Sequence, residues 1–106
     1  MDIIRKQLNS ILSDPAHHVE YRIHAVKRIF DRGISRPCVT NILINGDIIE
    51  GYPDDCPFPS CLILGKCEGR PIHIVTGLDI PEKTIYIITV YEPFPDAWDN
   101  EFRRRK

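Results

Sequence analysis

Near Gly46 the apolar residues of this chain change their period, and that switch restricts the folds it can reach. Upstream they recur every three or four residues, as on one side of a helix; downstream they alternate, as on one face of a strand. Asp2 is expected to cap a first helix over roughly 3–13, with Ile4, Leu8, Ile11 and Leu12 on one stripe and Ser13-Asp14-Pro15 ending it. Val19-Glu20-Tyr21 can be extended. A second helix is predicted from about 22 to 32, with Ile23, Val26 and Phe30 as its buried stripe and Gly33 as its stop. Ser35 should cap a third helix that carries Pro37 in its first turn, turns Val39, Ile42 and Leu43 inward, and ends at Asn45-Gly46.

Beyond the switch, Ile48 to Tyr52 reads as a strand, and the proline-broken stretch from Pro53 to Ser60 as a loop. Cys61 to Glu68, Pro71 to Leu78 and Thr84 to Glu92 read as three further strands. Gly69-Arg70 suits a two-residue hairpin turn, a register that sets Lys66 opposite His73. Pro93 to Arg105 is expected to hold a short helix with Trp98 and Phe102 on one side. Strands in sequence order with tight turns imply an antiparallel meander. The expected fold is therefore α+β: N-terminal helices packed on a four-stranded antiparallel sheet, with a short C-terminal helix. At 106 residues this is one domain, in which 1–16 form an added N-terminal helix.

Hydrophobic residues make up 42% of the chain, enough for a core without staples. No apolar run approaches the roughly 20 residues that span a bilayer. The opening Met1-Asp2-Ile3-Ile4-Arg5-Lys6 does not read as an export signal, so a cytoplasmic protein is expected. That setting favours reduced thiols for Cys38, Cys56, Cys61 and Cys67, with Cys61 and Cys67 as small core hydrophobes. The spacing from Cys56 to Cys67 lacks the tight pairs of structural zinc sites, and no metal or other cofactor is expected. The net charge of −1 hides a division. Residues 1–36 carry a balance of +3, residues 37–102 a balance of −8, and Arg103 to Lys106 add +4. Such polarity suits a polyanion at one end and a basic partner at the other; plain solubility is the alternative.

Four groups of side chains could carry chemistry. His24, Arg28 and Arg32 share one helical stripe, a phosphate-sized cationic surface or else a solvated face. Lys66 and His73 would project from one face of a hairpin, the lysine favouring the neutral imidazole. Tyr91, beside Glu92, could touch phosphate or donate a proton, or simply pack. The tail from Arg103 to Lys106 would add sequence-blind affinity for nucleic acid, or be a solvated end.

The chain also resembles a bacterial family, the domain of unknown function 4258. The matching pieces are His24-Ala25, Arg28, Arg32-Gly33-Ile34-Ser35, Asn45-Gly46-Asp47-Ile48-Ile49-Glu50, Tyr52-Pro53, Pro59-Ser60-Cys61-Leu62-Ile63-Leu64, Gly69-Arg70-Pro71-Ile72-His73-Ile74-Val75, Ile88-Thr89-Val90-Tyr91-Glu92-Pro93 and Trp98. They run in order over roughly 20–105. That family looks like a remote relative of RelE/ParE-like toxins, and its members resemble toxin–antitoxin components, expected beside a small zinc-finger antitoxin. The resemblance implies metal-free RNA cleavage, with His73 as base or acid, His24 assisting and Tyr91 as a proton donor. Arg28 and Arg32 would hold phosphate, and Lys66, Arg70, Arg103 and Arg104 would add RNA contacts. Such a site needs the stripe of the second helix and His73 to share one hollow. The other expectation is a non-catalytic module that binds RNA or a small protein. The oligomeric state is left open.

Overall fold

The computed structural model describes residues 2–106, the side chain of Asp2 excepted, so the cap expected of Asp2 lies outside what is described. The elements run Asp2–Ser13 (α1), His18–Tyr21 (β1), Ile23–Arg32 (α2), Arg36–Asn45 (α3), Asp47–Tyr52 (β2), Ser60–Cys67 (β3), Arg70–Asp79 (β4) and Thr84–Tyr91 (β5). The fold is α+β, with three helices on a five-stranded sheet of order β1-β5-β4-β3-β2. The expected four-strand meander is β2 to β5. The correction is a fifth strand: β1 lies parallel to β5, from His18 opposite Thr84 to Tyr21 opposite Ile87. A parallel partner so far along the chain leaves no local trace. No helix among the described residues is long and apolar enough to cross a membrane.

The helix ends follow residue chemistry. Ser35 Oγ accepts the backbone N–H of Cys38 at 3.2 Å and opens α3. Gly33, at φ 65°, closes α2 in the left-handed conformation that its missing Cβ allows. The Arg5 guanidinium of α1 donates to the carbonyls of Leu43, at 3.0 Å, and Gly46, at 2.5 Å. A cation thereby satisfies orphan carbonyls at the negative end of α3. Ile4, Leu8 and Ile11 of α1 and Val39, Ile42 and Leu43 of α3 are buried as expected, against Ile63, Ile72, Ile74, Ile85, Ile87 and Val90 of the sheet.

α2 departs from its expected burial. Ala25 and Ile29 face the core, whereas Ile23, Val26 and Phe30 are 79%, 39% and 85% exposed. Helical periodicity places Ile23, Val26 and Phe30 on one stripe but cannot say whether that stripe meets the sheet or solvent.

The hairpin from β3 to β4 turns one residue earlier than Gly69-Arg70 suggests. Cys67 pairs with Arg70, so the turn is Glu68-Gly69, both at positive φ. Lys66 then opposes Pro71 and His73 opposes Leu64, which breaks the expected Lys66–His73 pair. Glu68 is exposed at φ 53°, a conformation that an Asn-Gly turn adopts more readily. Glu68→Asn is expected to stabilise the protein by about 0.5–1 kcal/mol, read from the midpoint of urea unfolding.

Two further expectations are corrected. The expected C-terminal helix over 93–105 does not form. Pro93 and Pro95 withhold N–H groups, and Asp99 Oδ1 accepts the N–H groups of Glu101 and Arg103 at 3.1 and 3.0 Å. The segment instead folds as a tight hairpin closed by a bridge between Trp98 and Arg105. Cys38 and Cys67, expected as free thiols, are joined in a disulfide with Cα atoms 5.9 Å apart. Cys61 is a core hydrophobe as expected, and burial pushes its thiol pKa up to about 12, which leaves it inert at neutral pH.

Candidate functional site

Strand register decides which side chains share the sheet face that the helices leave uncovered. Ile72 and Ile74 belong to the helix-covered core, so His73 between them points the other way. Residues directly opposite on paired strands share a face. Asp47, Leu64, His73 and Tyr91 therefore form one row across that face, and Glu50, Leu62, Val75 and Thr89 the next. A third row holds Tyr52, Ser60, Gly77 and Tyr86. An irregularity between Ile48 and Glu50 resets β2 and brings Glu50 onto this face, a common use of a bulge.

The C-terminal hairpin folds over the first row. Trp98, 4% exposed, stands edge-on to the His73 ring at 4.4 Å between centroids. Phe102 takes φ 62°, rare for an aromatic residue, and turns its carbonyl to His73 Nε2 at 2.7 Å. A carbonyl only accepts, so Nε2 carries the proton and Nδ1 of the neutral ring accepts the Tyr91 hydroxyl at 3.2 Å. From the other side, Arg105 covers the Trp98 ring at 4.7 Å and pairs with Glu50 at 3.3 Å. Glu50 also accepts the Tyr52 hydroxyl. Tyr52, Glu50, Arg105, Trp98, His73 and Tyr91 thus form an unbroken chain of contacts.

The charge states follow from this packing. Burial disfavours the Glu50 carboxylate, but hydrogen bonds from Tyr52 and Arg105 outweigh it and hold the carboxyl below its ordinary range. Burial raises Tyr91 against the nearby Arg105 charge, so its phenol keeps its proton at neutral pH. His73 is wholly buried; burial lowers its pKa below the ordinary 6.5, although the Phe102 carbonyl bond works the other way. The unfolded chain therefore binds a proton that the folded chain refuses. Stability from this group is complete above about 6.5 and is lost as pH falls from there towards the lower folded value. Urea midpoints should drop between pH 7 and 5. The less stable His73→Phe variant should show a flatter slope over the same range.

Two hollows flank the cluster. One, of about 500 Å³, lies behind Phe102 and includes Asn45, Asp47, Lys66 and Arg103 in its lining. Arg103 bonds Asp47 there at 2.5 Å. The other, of about 590 Å³, lies beside Tyr52, Ser60 and Val75 and is bordered by Asp54 and Asp55. Next to it Phe58 stacks on Tyr86 at 5.0 Å, and Arg22 lies over Tyr86 at 4.4 Å.

The structure brings together His73, Tyr91 and the C-terminal segment, but not the helical stripe. His24, Arg28 and Arg32 are exposed on α2, whose Ala25 and Ile29 pack into the core on the opposite side of the sheet. Among the described residues that stripe and His73 lie on opposite sides of the sheet and line neither hollow. Lys66 is exposed and lines the first hollow. Arg70 turns towards α2, donating to the Arg32 carbonyl at 3.0 Å and pairing with Glu92 at 3.6 Å. Arg104 is exposed, and its carbonyl accepts the Asp99 N–H at 2.9 Å within the hairpin. Sequence reasoning missed Glu50, Tyr52 and Arg105 as members of the cluster. The alternation of β2 could have put Glu50 and Tyr52 on one face; nothing local ties Arg105 to them.

The family model described as "Domain of unknown function (DUF4258)" matches residues 21–92. The chain belongs to the DUF4258 family. Glu50, Tyr52, His73 and Tyr91 lie inside the DUF4258 span, while α1 and the hairpin bearing Trp98 and Arg105 lie outside it. No curated protein and no solved structure matches the chain.

Proposed function

We propose that this DUF4258 protein is toxin-like and acts on RNA by metal-independent cleavage at the uncovered sheet face. The kinship with RelE-like toxins belongs to this proposal, as does a small zinc-finger antitoxin as its partner. One observation carries the reading: an ionised carboxylate, a guanidinium and a protonated phenol belong to one chain of contacts on the sheet face that the helices leave uncovered. In the reaction the ribose 2′-oxygen bonds to the adjacent phosphorus and the bond from phosphorus to the 5′-oxygen breaks. Glu50 takes the 2′-hydroxyl proton, Arg105 offsets charge on the phosphoryl oxygens, and the Tyr91 hydroxyl, turning its proton from His73 Nδ1 to the leaving 5′-oxygen, gives it up there. His73, buried beneath, is a positioning residue for the Tyr91 hydroxyl. Tyr52 and the Phe58–Tyr86 stack offer surfaces for neighbouring bases. Asp54 and Asp55 repel phosphate there and leave it to the Arg105 end.

The test is cleavage of mixed-sequence RNA by the purified chain in the presence of a chelator. Products ending in 2′,3′-cyclic phosphate are expected. Glu50→Gln and Arg105→Ala should each slow cleavage at least about 10²-fold while costing under about 1 kcal/mol of stability, since the pair is half-exposed. Absence of cleavage, or rates indifferent to both substitutions, overturns it. The second reading is a non-catalytic module for RNA or a small protein, favoured by the complete burial of His73. Under that reading RNA binds but stays intact.

A further inference from the structure

Beyond its first row the uncovered face of the sheet narrows to two strands. β2 begins at Asp47, opposite Leu64, and β5 ends at Tyr91, opposite His73. Lys66 and Pro71, paired one row farther along the same face, have no strand on either side of them among the described residues. The hairpin residues 100–103 close this corner, and the hollow of about 500 Å³ lies between. Gly65 sets the place of its missing side chain towards Ile42 in the core, so the floor between Leu64 and Lys66 is bare backbone. Leu64, Pro71 and Phe102 provide apolar lining.

The charges in this hollow are separated. Arg103 meets one oxygen of Asp47 at 2.5 Å and one of Glu101 at 3.5 Å, which leaves one surplus negative charge and a second oxygen on each acid to accept. Lys66 is in no ion pair among the described residues. The register puts it about 7 Å along the sheet from Asp47 and about 5 Å across. Acceptors at one end, a cation at the other and apolar lining between suit a molecule with a donor edge, a flat apolar body and an anion. A nucleotide has all three. Among the bases, guanine sets a ring N–H and an amino group side by side on its Watson–Crick edge, a pair that one carboxylate accepts together. Adenine and cytosine place a ring acceptor beside the amino group, and uracil flanks its N–H with carbonyls; a carboxylate repels those acceptors.

We propose that this hollow is a subsite for a guanine nucleotide. Asp47 and Glu101 accept from the base edge, Leu64, Pro71 and Phe102 cover the base, and Lys66 meets the phosphate. The hollow adjoins the row of His73 and Tyr91 on the side away from Glu50, so in an RNA chain the guanine flanks the bond that is cut. That role in RNA recognition rests on the cleavage reading, whereas binding of the nucleotide does not.

Mononucleotides hold no internucleotide bond, so their titration reads the subsite apart from cleavage. The probes are the 5′-monophosphates of guanosine, adenosine, cytidine and uridine, each titrated calorimetrically into the intact chain. The guanosine monophosphate should bind at least about tenfold more tightly than the other three. Lys66→Ala should weaken it at least about fivefold while leaving unphosphorylated guanosine unaffected. Asp47→Asn with Glu101→Gln should erase the preference for guanine. All three side chains are exposed, and urea midpoints would show the variants folded. No binding, equal binding of the four nucleotides, or affinity indifferent to these substitutions overturns the subsite and leaves cleavage standing. Selective guanosine monophosphate binding by a chain that cuts no RNA overturns the cleavage reading and leaves the subsite.

Discussion

Gly65→Val is expected to leave the chain without a stable, cooperatively folded state. A Cβ at Gly65 would lie 2.5 Å, 2.7 Å and 3.0 Å from side-chain carbons of Ile42, close enough that α3 or β3 must move. Ile42 cannot swing aside, because it is β-branched and 1% exposed. Nor can α3 lift easily, tied as it is by Arg5 at its C-terminal end and by Cys38–Cys67 near its start. Overpacking in a filled core costs about 1–3 kcal/mol and more where backbones approach, so the valine should cost at least about 3 kcal/mol. Gly65→Ala should fall between, and Ile42→Ala should recover part of that loss by opening the same space. Urea unfolding of Gly65→Val, Gly65→Ala, Ile42→Ala and the Gly65→Val with Ile42→Ala double variant decides it. A Gly65→Val protein within about 1 kcal/mol of wild type would mean that α3 does not cross β3 this closely.

Trp98→Ala is expected to release the C-terminal hairpin while the rest of the domain stays folded. Truncating a buried tryptophan costs about 3–5 kcal/mol. Besides the bond from His73 to the Phe102 carbonyl, little else holds this segment. Arg103 and Arg105 join it to β2 through pairs with Asp47 and Glu50, and such exposed pairs contribute about 0–1 kcal/mol each. The helices contact the other side of the sheet and need not follow. Amide exchange should therefore become fast over 97–106 yet stay slow in β3 to β5, and His73, uncovered, should titrate closer to 6.5. A tail that remains protected, or a domain that melts as one unit, contradicts this division.

Much of the fold was legible because it rests on local chemistry. Ser35 marks a helix start by capping, Gly33 a helix end by left-handed backbone and Gly46 another in extended backbone, and alternation from Ile48 onward gives four strands near their observed limits. What failed was information that is not local. The stripe of Ile23, Val26 and Phe30 was found correctly as a stripe, but which side meets the core depends on where β5 lies. The hairpin turned on Glu68-Gly69 because a non-glycine residue accepted positive φ, and one residue of slip moved Lys66 away from His73. Trp98 and Phe102 sit at helical spacing, yet two prolines and the Asp99 turn prevailed.

The candidate site was legible in half. Tyr91 and His73 were singled out separately, and pairing of β4 with β5 sets them together. Glu50 and Arg105 meet across 55 residues of chain, through a bulge and a hairpin that no spacing rule encodes. The cationic stripe of α2 is real, and it belongs to the other side of the molecule.

The measurement that tests this account most directly is amide and side-chain NMR of the chain titrated with a short, non-cleavable 2′-deoxy oligonucleotide. Signals of Glu50, Tyr52, Tyr91 and Arg105 should shift together and saturate with one affinity, while those of Lys27, Phe30 and Arg32 stay still. Shifts confined to α2, or no saturable shift on the uncovered face of the sheet, would contradict it.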